Sequence, residues 1–349
     1  MKKKISKLQI FRIITQIIFF IFFPGLITLT FSELKQIYLM IIQGNFNFIE
    51  VFPRLIEVLA IIPITIIFGR FFCGWFCIFG TFNDYIYMIS KKIFKTKFRV
   101  STQLDTVLKY IKYAILLFII AVIWTMGSNL FDTVSPWDAF AQISDFSKAI
   151  VQYPAGFMVL ALIMLGAVFI ERFFCRYLCP LGAVFAIVSK IRIFKIDKPT
   201  SGCGKCRICT NNCPMGIELY KTDKVTSGEC INCLKCIPVC PRKNTQASIC
   251  DENVNPALAS AVAMTAFAGL YTADNMIGKI IRPNNFTVST NGNLGYGINK
   301  DSQQKKYKDG TYIGVGNGYR PDLKVSVTIK NSKIEDVQII SSNETPRYA

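Results

Sequence analysis

The chain has 349 residues, 52% of them hydrophobic, with thirteen cysteines and no histidine. That apolar content exceeds an ordinary soluble domain and points to a membrane protein, while the missing histidine excludes His-ligated haem, a Rieske centre, His-type zinc sites and Ser-His-Asp or Cys-His catalysis. The formal charge of +18 would suit nucleic acid, but the Lys and Arg residues gather in a few segments beside apolar runs, so they read as a topology signal and a contact with anionic lipid, with no nucleic-acid partner.

In chain order, the basic start "MKKKISK" precedes an uncharged run at 13–31, long enough for an anchor helix and without a signal-peptide cleavage site. Further spans are predicted at about 55–72, 107–127 and 155–172. The segments 91–99 ("KKIFKTKFR") and 189–198 ("SKIRIFKIDK") are strongly basic, which places them and the N-terminus in the cytoplasm. The cytoplasmic ends of spans two and four carry "RFFCGWFCIFGT" (70–81) and "RFFCRYLCPLGA" (172–183). A shift of 102 residues superposes Cys73 on Cys175 and Cys77 on Cys179, so residues 1–198 form a membrane domain built from two repeated helical hairpins. The amphipathic segments after each pair, 79–95 and 181–195, are expected in the membrane interface.

At i and i+4 on a helix, each cysteine pair would present two sulfurs on one face. Together Cys73, Cys77, Cys175 and Cys179 would make a four-thiolate site for a [2Fe–2S] cluster, with reversible disulfides, soft-metal capture such as Cu(I) and plain apolar packing as alternatives. Arg70 and Arg172 precede the pairs by about one turn. They would favour thiolates there, or else snorkel to the interface as topology residues. Ile78 stands where the second copy has Pro180, which predicts a less sharp turn after Cys77.

Residues 199–250 form the next domain. "CGKCRICTNNCP" and "CINCLKCIPVCP" each follow the C-x2-C-x2-C-x3-C-P spacing of two-cluster ferredoxins. Three thiolates of each run converge on one cubane and the fourth reaches the other. One [4Fe–4S] cluster is therefore expected on Cys203, Cys206, Cys209 and Cys240, and the second on Cys230, Cys233, Cys236 and Cys213, leaving Cys250 over. A fifth span is predicted at 256–273 within 251–275, followed by a linker at 276–304. In 305–349, Val325, Val327 and Ile329 alternate with polar residues, "KNSK" supplies a turn, and Ile334, Val337 and Ile339 supply the second strand of a hairpin.

The stretch "DGTYIGVGNGY…LKVSVTIKNSKIEDVQIISSNET" resembles the first half of the FMN-binding domain of the Rnf and sodium-pumping NADH:quinone reductase complexes. That resemblance implies an α+β fold and FMN, in the family often joined covalently to a threonine. No such threonine motif occurs before Ala349, so the attachment site is not in this chain and the sequence is expected to be truncated. The cysteine repeat with the two-cluster ferredoxin, about residues 10–245, likewise resembles the NosR- and NapH-type membrane ferredoxins.

These parts predict a multi-pass protein of the cytoplasmic (inner) membrane, with N-terminus and ferredoxin domain cytoplasmic and the C-terminal domain extracytoplasmic. Its expected function is electron transfer from a cytoplasmic donor, such as a ferredoxin, flavodoxin or quinol, through the two [4Fe–4S] clusters and a cysteine-held membrane centre to an extracytoplasmic flavin and onward to an acceptor. Hydrocarbon about 30 Å thick would need an intermediate centre, for which the paired membrane cysteines are the candidates. A maturation factor that supplies electrons or handles copper, and a redox sensor, are the alternatives. No nucleotide fingerprint is present, which argues against NAD(P)H as direct donor, and no catalytic residue is assigned.

Overall fold

A computed structural model describes residues 6–44 apart from 24, 55–94, 98, 100–125, 134–141, 150, 153–203, 206–281, 309–316, 323–330 and 333–341. The chain divides into two compact units, Met1–Asn284 and Asn285–Ala349. The first is mostly helical. Helices α1 (Lys7–Phe22), α2 (Leu26–Gln43), α3 (Ile56–Phe68), α4 (Phe71–Trp75) and α5 (Ile78–Ile93) lead to α6 (Thr102–Phe118), which continues as a π-helix to Trp124. The second copy runs through α7 (Pro136–Ala141), α8 (Pro154–Phe169), α9 (Phe173–Tyr177) and α10 (Pro180–Val188).

Helix α1 is built inside out. Arg12, Thr15 and Gln16 are buried, whereas Ile14, Ile18, Ile21 and Phe22 face outward. Helix α6 does the same with buried Asp105 and Lys112 and exposed Val107 and Leu117. Hydrocarbon offers polar groups no partners, so they turn inward and the apolar side chains turn out to lipid.

Among the described residues two helices are long and apolar enough to cross a membrane, Thr102–Trp124 and Pro256–Asp274, and a third span is added if the bent pair α1 and α2 forms one. The span read at 13–31 falls on two helices, α1 and α2, which bend by 72° at a short break between them. The spans read at 55–72 and 155–172 are also shorter. Helix α3 has 13 residues and α8 has 16, about 20 and 24 Å at 1.5 Å per residue. Helix α3 ends at Gly69, at φ +65°, a conformation that an L side chain resists. In the second copy the left-handed residue is Arg172, at φ +57°.

The repeat is visible in the elements themselves, since α4 and α9, and the starts of α5 and α10, lie 102 positions apart. The segments after the cysteines differ from the interfacial expectation. Helix α10 is buried along most of its length, and only the distal half of α5, with Met88, Ile89 and Ile93 exposed, is amphipathic in that sense.

The ferredoxin segment is not a separate insert with ends at 199 and 250. Strand β1 (Phe194–Asp197) comes from the basic segment and pairs antiparallel with β2 (Gln246–Ile249), which pairs with β3 (Glu252–Val254). Cys250 and Asp251, both at positive φ, make the two-residue β2–β3 turn, and this cysteine is exposed. Short helices α11 (Ile208–Asn211) and α12 (Cys236–Val239) carry cysteines, and α13 runs Pro256–Ile281. Aromatic rings pack these parts into one core: Phe19 stacks on Phe76 at 4.6 Å, Phe76 meets Phe267 at 4.7 Å, and Phe79 meets Phe174 across the repeat at 4.7 Å.

The second unit is an antiparallel meander of β4 (Gly310–Gly316), β5 (Leu323–Lys330) and β6 (Lys333–Ser341). Lys330 pairs with Lys333 across the expected turn. Strand β4 adds to the predicted hairpin. Residues 282–304 of the expected linker, 331–332 of the turn and 342–349 lie outside the described residues.

Candidate metal centres

Cys203, Cys206, Cys209 and Cys240 line one cavity, with Lys198, Arg242 and Asn244 around them. Cys213, Cys230, Cys233 and Cys236 line a second, whose remaining wall is mainly apolar, including Ile196, Met215, Ile217 and Leu234. Two cysteines of the first set, Cys206 and Cys240, are half-buried against one of the second, Cys213, so we call the first cavity outer and the second inner. Between the inner cysteines, Asn232 and Leu234 take positive φ, at 45° and 56°. Left-handed residues in such a loop turn successive main-chain N–H groups to one side, the concavity that suits an anion.

In the outer cavity Asn244 donates its main-chain N–H to Cys240 Sγ at 3.3 Å and its side-chain amide to Cys203 Sγ at 3.6 Å. Against the cost of burial, N–H groups of Asn244, Arg242 and Thr245 hold Cys240 below the usual thiol range. Burial, with Cys233 alongside, pushes Cys213 up to about 12, and burial also raises Cys230 and Cys236. Metal binding at the inner set therefore releases protons.

The membrane cysteines do not share one helix face as i and i+4 would. Helix α4 ends at Trp75 and α9 at Tyr177. Cys77 and Cys179 then take extended backbone, φ/ψ −64°/112° and −69°/110°, and cap α5 and α10. Their sulfurs accept from Gly80 N at 3.4 Å and Gly182 N at 3.2 Å, where helix N-termini favour thiolates. Ile78 makes no difference to this geometry, because an extended residue before the first helical position suits isoleucine and proline alike.

All four thiols are buried, and a charge on Cys77 would act on Cys73, Cys175 and Cys179. The arginines are fully buried rather than snorkelling, and each reaches the other copy. Arg172 donates to the Cys73 carbonyl. A Cβ on Gly80 would stand 3.0 Å from Arg172 Nη1, and one on Gly182 would stand 2.9 Å from Arg70 Nη2 and 3.4 Å from Cys179 Sγ. Arg70 Nε and Nη2 are buried without a hydrogen-bond partner, beside Cys73 and Cys179. Arg70 gives one nitrogen to Glu229 and leaves two beside the thiols, an arrangement that fits an anionic cluster.

Among the described residues no three Cys, Asp or Glu side chains close around a single metal ion. A tetrahedral thiolate shell, with metal–sulfur bonds of about 2.3 Å, would draw its sulfurs to within about 4 Å of one another.

Main chain of the inner cavity touches the membrane cysteine loops directly. Trp75 Nε1 donates to Asn232 O at 3.0 Å, Asn232 Nδ2 to Phe68 O at 2.6 Å, and Gln9 Nε2 to Cys233 O at 3.0 Å. Gly74 is required here, because a Cβ would lie 2.2 Å from Ile231 O. On the other side Arg176 packs on Gly216, three residues after Cys213.

Two buried charge clusters brace this contact. Glu229 accepts from Arg70 at 3.1 Å, from Tyr113 at 2.9 Å and from Lys112. Asp84 takes Arg172 and Arg12, each at 2.8 Å. Although burial opposes it, Arg70 and Lys112 hold the Glu229 carboxyl below the usual carboxylate range. Sequence reasoning singled out the arginines but missed Glu229, Asp84, Lys112 and Lys198. Only the glycine three places after each second cysteine, alike in both copies, left a readable signal.

A family model described as a 4Fe-4S binding domain matches residues 51–97 and 153–199. These two matches are the two copies of the repeat, each holding one cysteine pair. Among the relatives is the uncharacterized protein MJ0749 of Methanocaldococcus jannaschii, 31% identical over 68% of this chain and 86% of its own length. The putative electron transport protein YccM of Escherichia coli is 29% identical over 53% of each chain. Regulatory protein NosR of Pseudomonas aeruginosa is 30% identical over 49% of this chain and 24% of its own. The chain belongs to the NosR/NapH-type ferredoxin family. Its matched segments are those of a 4Fe-4S binding domain, and its apolar helices fit a membrane protein. The matched cysteines of this NosR/NapH-type chain are the membrane pairs, and residues 203–241 lie outside the match. No solved structure matches the chain.

Proposed function

We propose that the protein carries electrons between a cytoplasmic donor and an extracytoplasmic acceptor through three cysteine-held centres. Cys203, Cys206, Cys209 and Cys240 would hold an outer [4Fe–4S] cluster, Cys213, Cys230, Cys233 and Cys236 an inner one, and Cys73, Cys77, Cys175 and Cys179 an iron–sulfur centre in the membrane domain. Clusters bound there supply one-electron chemistry. The observation that carries the reading is the direct contact of the inner cysteine loop with the membrane cysteine loop at Gly74 and Trp75.

The chain's own residues give each centre its setting. Aromatic rings around Cys73 and Cys77, with Phe71 stacked on Trp75 at 4.9 Å, exclude water from the membrane site. Buried Arg70 and Arg172 offset the negative charge of the thiolates. The basic N-terminus and the segment before β1 support a cytoplasmic ferredoxin face.

The described strands of the second unit do not by themselves support a flavin site. Ile313, Val337, Ile339 and Ile340 are all more than half exposed, so these strands enclose no ring system. No electron step is derived through FMN, and the acceptor is defined only as extracytoplasmic.

The test is iron and acid-labile sulfide analysis with EPR on anaerobically purified protein, wild type against Cys73→Ser/Cys175→Ser. The double variant should lose the iron and the signal of the membrane centre while both ferredoxin signals persist. A full iron count with every signal retained would refute the membrane centre.

A further inference from the structure

Lys198 lies in the stretch "KIDKP", where a lysine reads as one more cytoplasmic topology charge. Its structure differs from that of a topology residue. The side chain is 1% exposed, lines the outer cavity beside Cys203, Cys206, Cys209 and Cys240, and its Nζ has no hydrogen-bond partner among the described residues.

The backbone pins it there. Lys198 N donates to Asp223 O at 2.6 Å, and Pro199 O accepts from Asn244 Nδ2 at 2.6 Å. The acid nearest in charge, Asp223, is exposed and gives a carboxylate oxygen to Thr200 N at 2.6 Å. A buried ammonium with no hydrogen-bond partner among the described residues, and with only the exposed Asp223 as a charge neighbour, suits an acceptor held in the cavity.

Resting on the ferredoxin reading above, we propose that Lys198 is an N–H donor to the sulfur of the cluster held by Cys203, Cys206, Cys209 and Cys240, and that it holds that cluster's reduction potential up. A one-electron reduction adds one negative charge to the cluster, and an adjacent fixed cation stabilises the reduced form more than the oxidised one. Such neighbours tune a metal centre without ligating it. The inner cavity also has a lysine, Lys235, but its Nζ is paired with Glu171, whereas Lys198 Nζ has no partner among the described residues, so the effect is specific to one centre.

The experiment is an EPR-monitored redox titration of the full chain, with dithionite as reductant, on wild type, Lys198→Met, Lys198→Arg and Lys243→Gln. Cys206→Ser and Cys233→Ser variants assign the two ferredoxin signals. Lys198→Met should lower the reduction equilibrium constant of the outer cluster at least tenfold, about 59 mV for one electron, and leave the inner one in place. Lys198→Arg should restore most of the loss. Lys243, which is exposed near Cys240, is screened by solvent, so its variant should move neither signal.

An unmoved outer potential in a fully iron-loaded Lys198→Met protein would overturn the proposal. So would an equal shift of both clusters, or a Lys243→Gln shift as large as that of Lys198→Met. Iron analysis of each variant separates these from the deeper failure: a wild type without iron at residues 203–241 would overturn the ferredoxin reading and this inference with it.

Discussion

The two copies of the membrane repeat agree close to their cysteines and part company one layer out. In both, the first cysteine sits in a five-residue helix, the second caps the next helix, a glycine three places later approaches an arginine of the opposite copy, and that arginine is fully buried. Beyond this shell, Gly74 admits Ile231 O in the first copy, while the equivalent Arg176 packs on Gly216 in the second. Arg70 is answered by Glu229 of the ferredoxin segment, Arg172 by Asp84 of α5. A site shared between two copies keeps like groups around it. One unrepeated ferredoxin segment cannot meet both copies in the same way, so the outer residues diverge to grip its two arms.

The comparison can be broken hardest at the carboxylates. Glu229→Gln leaves Arg70 and Lys112, both fully buried, without a counter-charge and should cost about 3–5 kcal/mol in detergent-solubilised unfolding. Asp84→Asn should cost less, because Arg172 keeps the Cys73 carbonyl and Arg12 keeps the Gly74 carbonyl as acceptors. Equal losses would mean that the two copies are braced alike. A pH series sharpens the point. The Glu229 carboxyl is depressed in the folded protein, so its contribution is complete above its ordinary value of about 4.3 and is lost as pH falls through the lower folded value. Wild type should therefore lose thermal stability below about pH 4 more steeply than Glu229→Gln.

A smaller effect separates Gly74 from Arg176. Gly74→Ala forces a methyl against a main-chain carbonyl and should destabilise by about 1–3 kcal/mol, with broadened EPR from the inner cluster. Arg176→Ala should cost less, since Asp105 keeps Lys109 at 2.6 Å and Tyr177 at 2.6 Å. The smallest change tests the symmetry itself. Ile78→Pro restores the residue of the second copy at the first position of α5, where the preceding Cys77 is already extended, and should stay within about 1 kcal/mol of wild type by thermal unfolding. A large loss there would show that the matching backbone of the two loops hides different constraints.

Much of the architecture was legible because its signals are local. Apolar runs marked α6 and α13, a fixed offset marked the repeat, and strand alternation marked β5 and β6. Residues 13–31 fall on two helices bent by 72°, a break that run length alone does not record. The helix-face expectation for the cysteine pairs failed because i, i+4 spacing carries no record of where a helix stops. The basic segment 189–198 was legible as charge but not as strand, since its pairing partner lies some fifty residues on, at 246–249.

By itself, the sequence determined the cysteine inventory, the duplication and the mostly helical, lipid-facing character, all of which depend on residue type and spacing. Tertiary structure alone decided that Lys198 faces the outer cysteines, that each arginine serves the opposite copy, and that Glu229 closes the charge cluster between the ferredoxin segment and the membrane helices. Glu229 lies 159 positions from Arg70 and 117 from Lys112. No local pattern encodes such a partnership, because a buried charge is satisfied by whatever the folded chain brings to it, and that is settled only when the core closes.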